Sequence, residues 1–311
     1  MTDAAKKTGK VVWMLGLHHS GTTIVWRAFR SNRRFLCYDE PLTEALGLCF
    51  PRDNHKKTFD EYLRIFGDDP QKFWALYNSI NPHQELDSTF THQQKTYLTS
   101  LLKYSDNVVI DETHLHSHLP AINEITPSGY VIHLYRRSRG FVTSHLRPTW
   151  SRHTTWPRRI VRRLRNEYNK NVFWSRYDFL PGMRRGDVIG SHSQSKFGLM
   201  LAEAGYDAER IMSAPSVVKL LAYWHYQYHY LEKEGPRLFR ERYKSLRYED
   251  FASHPNQTMA DIYDWFGMSS PPDVVYSDVH PPKPPFRLND RRWIEAAKLA
   301  GFSDEELETL L

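Results

Sequence analysis

Cysteine is nearly absent from this sequence: two residues, Cys37 and Cys49, stand among 311. Two thiols cannot build a disulfide framework, and the expectation is a chain that folds in a reducing cytoplasm. No apolar run reaches the length of a membrane-spanning helix. The opening decapeptide, MTDAAKKTGK, has no apolar signal core, which speaks against secretion. No internal repeat and no low-complexity tract interrupts the chain. An acidic excess is missing as well, since the formal net charge is +6. That balance suits acidic ligands, while nucleic acid or an anionic membrane would satisfy the same charge. What is present is a core-forming composition, 40% hydrophobic and 14% aromatic. It is enough for a single α/β domain over residues 1–311, with an inserted cap over residues 150–215.

The densest signal is VVWMLGLHHSGTT at residues 11–23. Val11 to Leu15 reads as a buried strand. The chain breaks at Gly16, crosses a loop, and restarts at Gly21-Thr22-Thr23 as a helix. Loop amides and the unpaired N–H groups of a helix start converge there, and the helix dipole adds positive potential, so the turn is an anion cradle. The glycines have the spacing of the nucleotide-triphosphatase pattern G-x-x-x-x-G-K-[ST], but Thr22 stands where its lysine would hold the β- and γ-phosphates. A kinase without that lysine lacks the main charge on the group it transfers.

Further along, strands alternate with helices. Short strands are expected at 35–38, 107–111, 130–135 and 243–247, and helices at 138–146, 216–233 and 256–266. The pattern predicts a central parallel sheet flanked by helices. In such sheets ligands sit outside the carboxyl ends of the strands. The residues at those ends are the Gly16–Thr23 loop, Asp39-Glu40-Pro41, Asp111-Glu112-Thr113-His114, Arg136, and Tyr248-Glu249-Asp250.

Three motifs in this set resemble the sulfotransferase family. His19-Ser20-Gly21-Thr22-Thr23 resembles the family's 5′-phosphosulfate loop. The stretch from Arg136 to Ser144 resembles its 3′-phosphate motif, in which an arginine ends a strand and a serine follows eight residues later. Arg247-Tyr248-Glu249-Asp250-Phe251, followed by His254-Pro255 and Trp265-Phe266-Gly267-Met268, resembles its YED segment. Order and separation agree over about residues 10–268. The resemblance implies a P-loop-like sulfotransferase fold and 3′-phosphoadenosine 5′-phosphosulfate as donor, with no metal required. It implies that His18, His19, Ser20, Gly21, Thr22 and Thr23 bind the 5′ side, Arg136 and Ser144 the 3′-phosphate, and Tyr248 the adenine. A late basic loop returns to the 3′-phosphate in many members, and Arg287 or Arg291 could fill that place here.

His19 is a departure, because the family carries lysine or arginine before S-G-T-T. An imidazole can hydrogen-bond the bridging oxygen, and nearby phosphates favour its charged form. For the general base that removes the acceptor proton, two candidates stand out. Glu40 resembles the catalytic glutamate of tyrosylprotein sulfotransferases in its spacing from the loop, and Pro41 holds it extended. The segment Thr113 to Pro120 resembles the K-T-H-L-P stretch of small-molecule sulfotransferases, where either His114 or His118 would be the base. Glu40 is preferred, then His114. If the segment were extended, His114, His116 and His118 would share one face and could hold a metal.

Residues 152–185 carry a dense arginine cluster with Ile160, Leu164 and Tyr168 at helical spacing. This is the expected cap, either a lid over the acceptor or a peripheral membrane contact. The acceptor is a hydroxyl-bearing small molecule, glycan, lipid or peptide, and no nucleic acid is expected. Two other classes remain open: a P-loop kinase of a small molecule, and a non-catalytic basic protein binding nucleic acid or membrane.

Overall fold

Val11–Leu15 alternates its side chains so cleanly that both faces of the strand are apolar: Trp13 and Leu15 point one way, Val12 and Met14 the other. A strand apolar on both faces belongs inside a parallel sheet with helices above and below. The computed structural model describes residues 9–43, 62, 67, 69–80, 84–146, 194–272, 276, 279 and 290–311. The strands in it are β1 (Val11–Leu15), β2 (Leu36–Asp39), β3 (Val108–Glu112), β4 (Tyr130–Tyr135) and β5 (Tyr243–Arg247). Among them run α1 (Thr22–Ser31), α2 (Pro70–Leu76), α3 (His92–Leu102), α4 (Leu119–Ile125), α5 (Ser138–Leu146), α6 (Gln194–Glu203), α7 (Ala208–Ser213) and α8 (Ser216–Phe239). After β5 come α9 (Tyr248–Ser253), α10 (Pro255–Trp265), α11 (Asp290–Leu299) and α12 (Asp304–Thr309). The arginine cluster of residues 152–185 and Arg287 lie outside the described residues.

The chain divides into two compact units, Met1–Tyr135 with Tyr230–Pro281, and Arg136–His229 with Pro282–Leu311. The first holds the sheet, in the order β2-β3-β1-β4-β5. Every neighbouring pair is parallel, so all five carboxyl ends lie along one edge. The chain order reverses around β1, and that switch point is where an open α/β sheet leaves a crevice for a ligand.

Burial divides by strand parity. Trp13, Leu15, Tyr38, Val108, Ile110 and Val131 pack on one face with α3 and α4 residues such as Leu98, Leu101 and Ile122. Val12, Met14, Cys37, Val109, Ile132 and Leu134 pack on the other with Val25, Phe29, Ile262 and Phe266. The indole N–H of the buried Trp13 donates to Thr126 Oγ1 at 2.9 Å, so its polar atom is satisfied at the end of α4.

Two details differ from expectation. The helix expected to stop near Lys233 runs on to Phe239 with Pro236 inside it. Leu231 and Phe239 are fully buried in the sheet's core, and their burial outweighs the hydrogen bond that Pro236 cannot donate. Gly235 is required there, because an added Cβ would lie 2.1 Å from the Tyr243 ring. Tyr248-Glu249-Asp250 follows β5 as expected and opens α9, where Arg247 pairs with Asp250 across the first turn. Finally, His116–His118 forms a 3₁₀ turn. The extended face of three imidazoles therefore does not form, and His118 instead stacks on Phe90 with ring centroids 4.8 Å apart.

Candidate active site

The last two carbonyls of β3 organise this edge of the first unit. Asp111 faces Met14 and Asp39, and Glu112 faces Leu15. The Glu112 carbonyl accepts from Gly16 N–H at 3.4 Å, which starts the loop after β1. The Asp111 carbonyl accepts from Glu40 N–H at 2.8 Å, which turns the chain after β2. The loop and Glu40 are thus hung from consecutive residues of one central strand.

The loop ends at α1, whose N-cap is Gly21 in the left-handed region at φ 98°, with no side chain capping the helix start. Ile24 N–H donates to the Gly21 carbonyl at 3.0 Å. Ser20 is buried, and among the described residues its hydroxyl has no hydrogen-bond partner. A buried hydroxyl and open helix N–H groups facing one turn suit an anion. His18 and His19 stand beside it with their rings in edge contact, centroids 4.2 Å apart.

Glycine is obligatory at position 21 twice over. A Cβ would lie 2.4 Å from Tyr248 Cδ2, and the backbone is one that L side chains rarely adopt. Tyr248 itself is buried in the core that packs α1. We expect Gly21→Ala to cost about 2 kcal/mol or more in urea unfolding. Tyr248→Ala on the same background should recover part of that loss, whereas additive losses would mean that the ring is not what the methyl meets.

Backbone strain marks two of the residues chosen from sequence. Among the described residues, His19 at φ 68° and Glu40 at φ 46° are left-handed without being glycine, as are Arg33 and Arg240. Such positions cost about 1–3 kcal/mol each and are kept where the surroundings over-determine them. Around Glu40 the surroundings are evident: Thr113 donates its hydroxyl to Oε1 at 2.9 Å, and Thr43 N–H returns to the Glu40 carbonyl at 3.0 Å.

The neighbouring acids are set by burial. Asp39 is pushed up to about 7, first by burial and then by Glu40, with Arg27 and Arg30 opposing. Asp111 is raised well above the carboxylate range by burial and by Asp39, Glu40 and Glu112, with the Thr22 hydroxyl opposing. Glu112 rises to about 8, since burial outweighs the Leu42 N–H that donates to its Oε1 at 2.7 Å. His114 goes against its own burial: Glu85 Oε1 at 3.2 Å, with Glu40 and Glu112, holds it protonated up to about 10. His116 falls to about 4, chiefly through burial. The edge therefore combines an anion cradle, a fixed imidazolium, an oriented carboxylate and protonated acids at neutral pH.

The second unit contains the stretch from Arg136 to Ser144. The Arg136 carbonyl accepts from Trp224 Nε1 at 2.9 Å, and its side chain lies along Gly140, where a Cβ would meet Nε at 2.6 Å. Ser138 donates both its N–H and its hydroxyl to the Leu310 carbonyl, each at 3.0 Å, so the chain's last turn caps the start of α5. Ser144 donates its hydroxyl to Phe141 O at 2.6 Å. Sequence reasoning missed a further group in this unit: His225, His229 and Glu306 bring three potential ligand atoms within 4.8 Å of one another.

A sequence model described as "Sulfotransferase family" matches residues 187–272. The match covers under a third of the chain. The matched segment contains Arg247-Tyr248-Glu249-Asp250-Phe251, the third of the three motifs, while the Gly16–Thr23 loop and Arg136 lie outside it. No curated protein matches this chain in sequence. Solved structures similar to it include the sulfotransferase domain from the Synechococcus PCC 7002 olefin synthase, with 13% identity, TM-score 0.47, and coverage of 100% of this chain and 96% of that one. Another is sulfotransferase STF9 from Mycobacterium avium, with 15% identity, TM-score 0.45, and 97% and 75% coverage. A third is a sulfotransferase from Alicyclobacillus acidocaldarius, with 13% identity, TM-score 0.41, and 96% and 94% coverage. Among the described residues no helix is long and apolar enough to cross a membrane.

Proposed function

We propose that the chain moves a sulfuryl group from 3′-phosphoadenosine 5′-phosphosulfate to the hydroxyl of an acceptor, with Glu40 as general base. One observation carries the reading. An uncapped helix start with a buried, partnerless Ser20 hydroxyl and a left-handed, hydrogen-bonded Glu40 hang from successive carbonyls of β3. An anion site and an oriented carboxylate on one sheet edge are what transfer from a phosphate-bearing donor to a hydroxyl requires.

The donor, when bound, supplies a sulfuryl group whose bond to phosphate oxygen breaks as the acceptor oxygen bonds sulfur. Ser20, Gly21, Thr22 and Thr23 bind its 5′ side through the loop and the α1 N-terminus, with His18 alongside. His19 directs its imidazole at the bridging oxygen and takes up the charge that gathers there. Glu40 removes the acceptor proton at Oε2 while Thr113 steadies Oε1. His114, a cation beside Glu40, fits charge stabilisation better than proton removal, because an imidazolium has no lone pair to accept a proton. By resemblance Arg136 and Ser144 take the 3′-phosphate and Tyr248 the adenine. Of the expected cap over residues 150–215, residues 150–193 lie outside the described residues. A cytoplasmic location goes with this reading, in keeping with a chain that has only two cysteines.

The distinguishing ligand is adenosine 3′,5′-bisphosphate. A ligand that binds only the folded chain raises its melting temperature. At a hundredfold excess over its dissociation constant the bisphosphate should raise it by several degrees, and ATP with magnesium should leave it unchanged. The reverse ranking would establish a kinase-type site instead.

A further inference from the structure

We propose that His225, His229 and Glu306 form a site for a zinc-class divalent cation that fastens the C-terminal helix α12 to α8. The site lies wholly in the second unit and takes no part in the sulfuryl chemistry. His225 and His229 are one turn apart on α8, so both rings emerge on the same face. Their Nε2 atoms are 3.1 Å apart. Glu306 reaches across from α12, with Oε2 3.2 Å from His225 Nε2 and Oε1 2.5 Å from His229 Nε2.

Those separations fit a shared cation. Ligands at about 2.1 Å around a tetrahedral centre stand about 3.4 Å from one another; the two imidazole nitrogens are close to that separation, and the distance from each to one oxygen of the Glu306 carboxylate is within ~1 Å of the same value. Two imidazole nitrogens this close cannot both carry protons. One lone pair therefore already points into the group, beside a carboxylate, and the proton between them occupies the place a metal would take. The orientation is supported from behind: Tyr206 Oη lies 2.8 Å from His225 Nδ1. When Tyr206 accepts from Nδ1–H, the Nε2 lone pair of His225 faces the cluster, which is how ligating histidines are usually held. His225 is 6% exposed, Glu306 19% and His229 45%, so one side is packed and the other admits an ion and a fourth, water ligand. Two imidazoles and one carboxylate favour zinc, cobalt or nickel over magnesium or calcium, which prefer all-oxygen shells.

The site sits at a junction. Trp224, adjacent to His225, donates to the Arg136 carbonyl, and the Leu310 carbonyl just past α12 accepts both donors of Ser138 at the start of α5. A cation joining α8 to α12 would thus fasten the turn that caps α5.

The test is zinc titration of the untagged, chelator-stripped full chain by calorimetry, with hydrogen exchange over residues 303–311 as a second readout. The expected result is one equivalent bound, a cobalt complex with tetrahedral absorption, no response to magnesium, and exchange over 303–311 slowed at least tenfold by zinc. His229→Ala, at a half-exposed position, should keep the fold and lose binding by at least a hundredfold. His92→Ala, at an exposed histidine elsewhere, should bind as the parent does. Zinc binding that survives His229→Ala, zinc binding lost equally in His92→Ala, or unchanged exchange over 303–311 on saturation would each overturn the proposal.

Discussion

Glu40→Gln lowers kcat by two to four orders of magnitude and leaves thermal unfolding within about 0.5 kcal/mol of the parent. The size of the loss is the usual contribution of a positioned general base. The fold should not notice the change, because the amide oxygen still accepts from the Thr113 hydroxyl and the backbone at φ 46° is untouched. Substrate affinity should change little, since a base removes its proton only as the acceptor oxygen attacks. The comparison that decides is His114→Gln under the same conditions. It removes a cation that Glu85 holds, so the expectation is a loss smaller than that of Glu40→Gln. If Glu40→Gln retains activity within a few-fold while His114→Gln abolishes it, the base is the histidine and the assignment to Glu40 is wrong.

The strain at Glu40 has a topological origin. In the order β2-β3-β1-β4-β5 the chain leaves β1 and β2 on either side of β3, and both exits bend at once to bond with β3 carbonyls. A left-handed residue makes a sharp turn in a single step: Glu40 is itself the residue that bonds to β3, whereas after β1 the bond is made by Gly16 and the left-handed His19 follows three residues later. Holding Glu40 there restricts where its carboxylate can point, as the proposed role of general base requires.

Those backbone conformations had no signal in the sequence. A glycine announces positive φ; a histidine or a glutamate does not. The strands were readable where Val11–Leu15 and Tyr130–Tyr135 form short apolar and β-branched runs bounded by turn residues. Tyr248 stands at the end of β5 as the motif placed it, while the helix it opens had no signal in the motif. The His114–His118 alternation suggested an extended face, but Pro120 in the first turn of α4 pulled the segment into a 3₁₀ turn. The pair His225 and His229 was legible as an i, i+4 spacing within a crowded aromatic run. Glu306 was not, because only the packing of the C-terminal helix brings it there.

Glu112→Gln makes the chain more stable at pH 8 by on the order of 3 kcal/mol, and the gain disappears as the pH falls toward 5. Glu112 is fully buried at the end of β3. Its Oε1 accepts from Leu42 N–H, while Oε2 has no partner among the described residues. Burial lifts its carboxyl to about 8 from an ordinary 4.5. Between those values the folded chain keeps a proton that the unfolded chain releases, so folding stability falls as the pH rises, by up to about 1.4 kcal/mol per unit. Asp39, lifted to about 7, adds a slope of the same sign over the lower part of that window. His114 adds one above its unfolded value near 6.5, because its paired, protonated form is lost only as the pH passes about 10. Glutamine removes the Glu112 contribution and keeps the bond to Leu42 N–H, so the stability-against-pH curve of the variant is shallower and crosses above the parent's. Urea unfolding at pH 5, 6, 7 and 8 reads this directly. A variant with the parent's slope, or one less stable at pH 8, would mean that the Glu112 carboxylate is ionised and compensated in the folded chain. The protonated acids would then no longer describe the edge on which Glu40 stands.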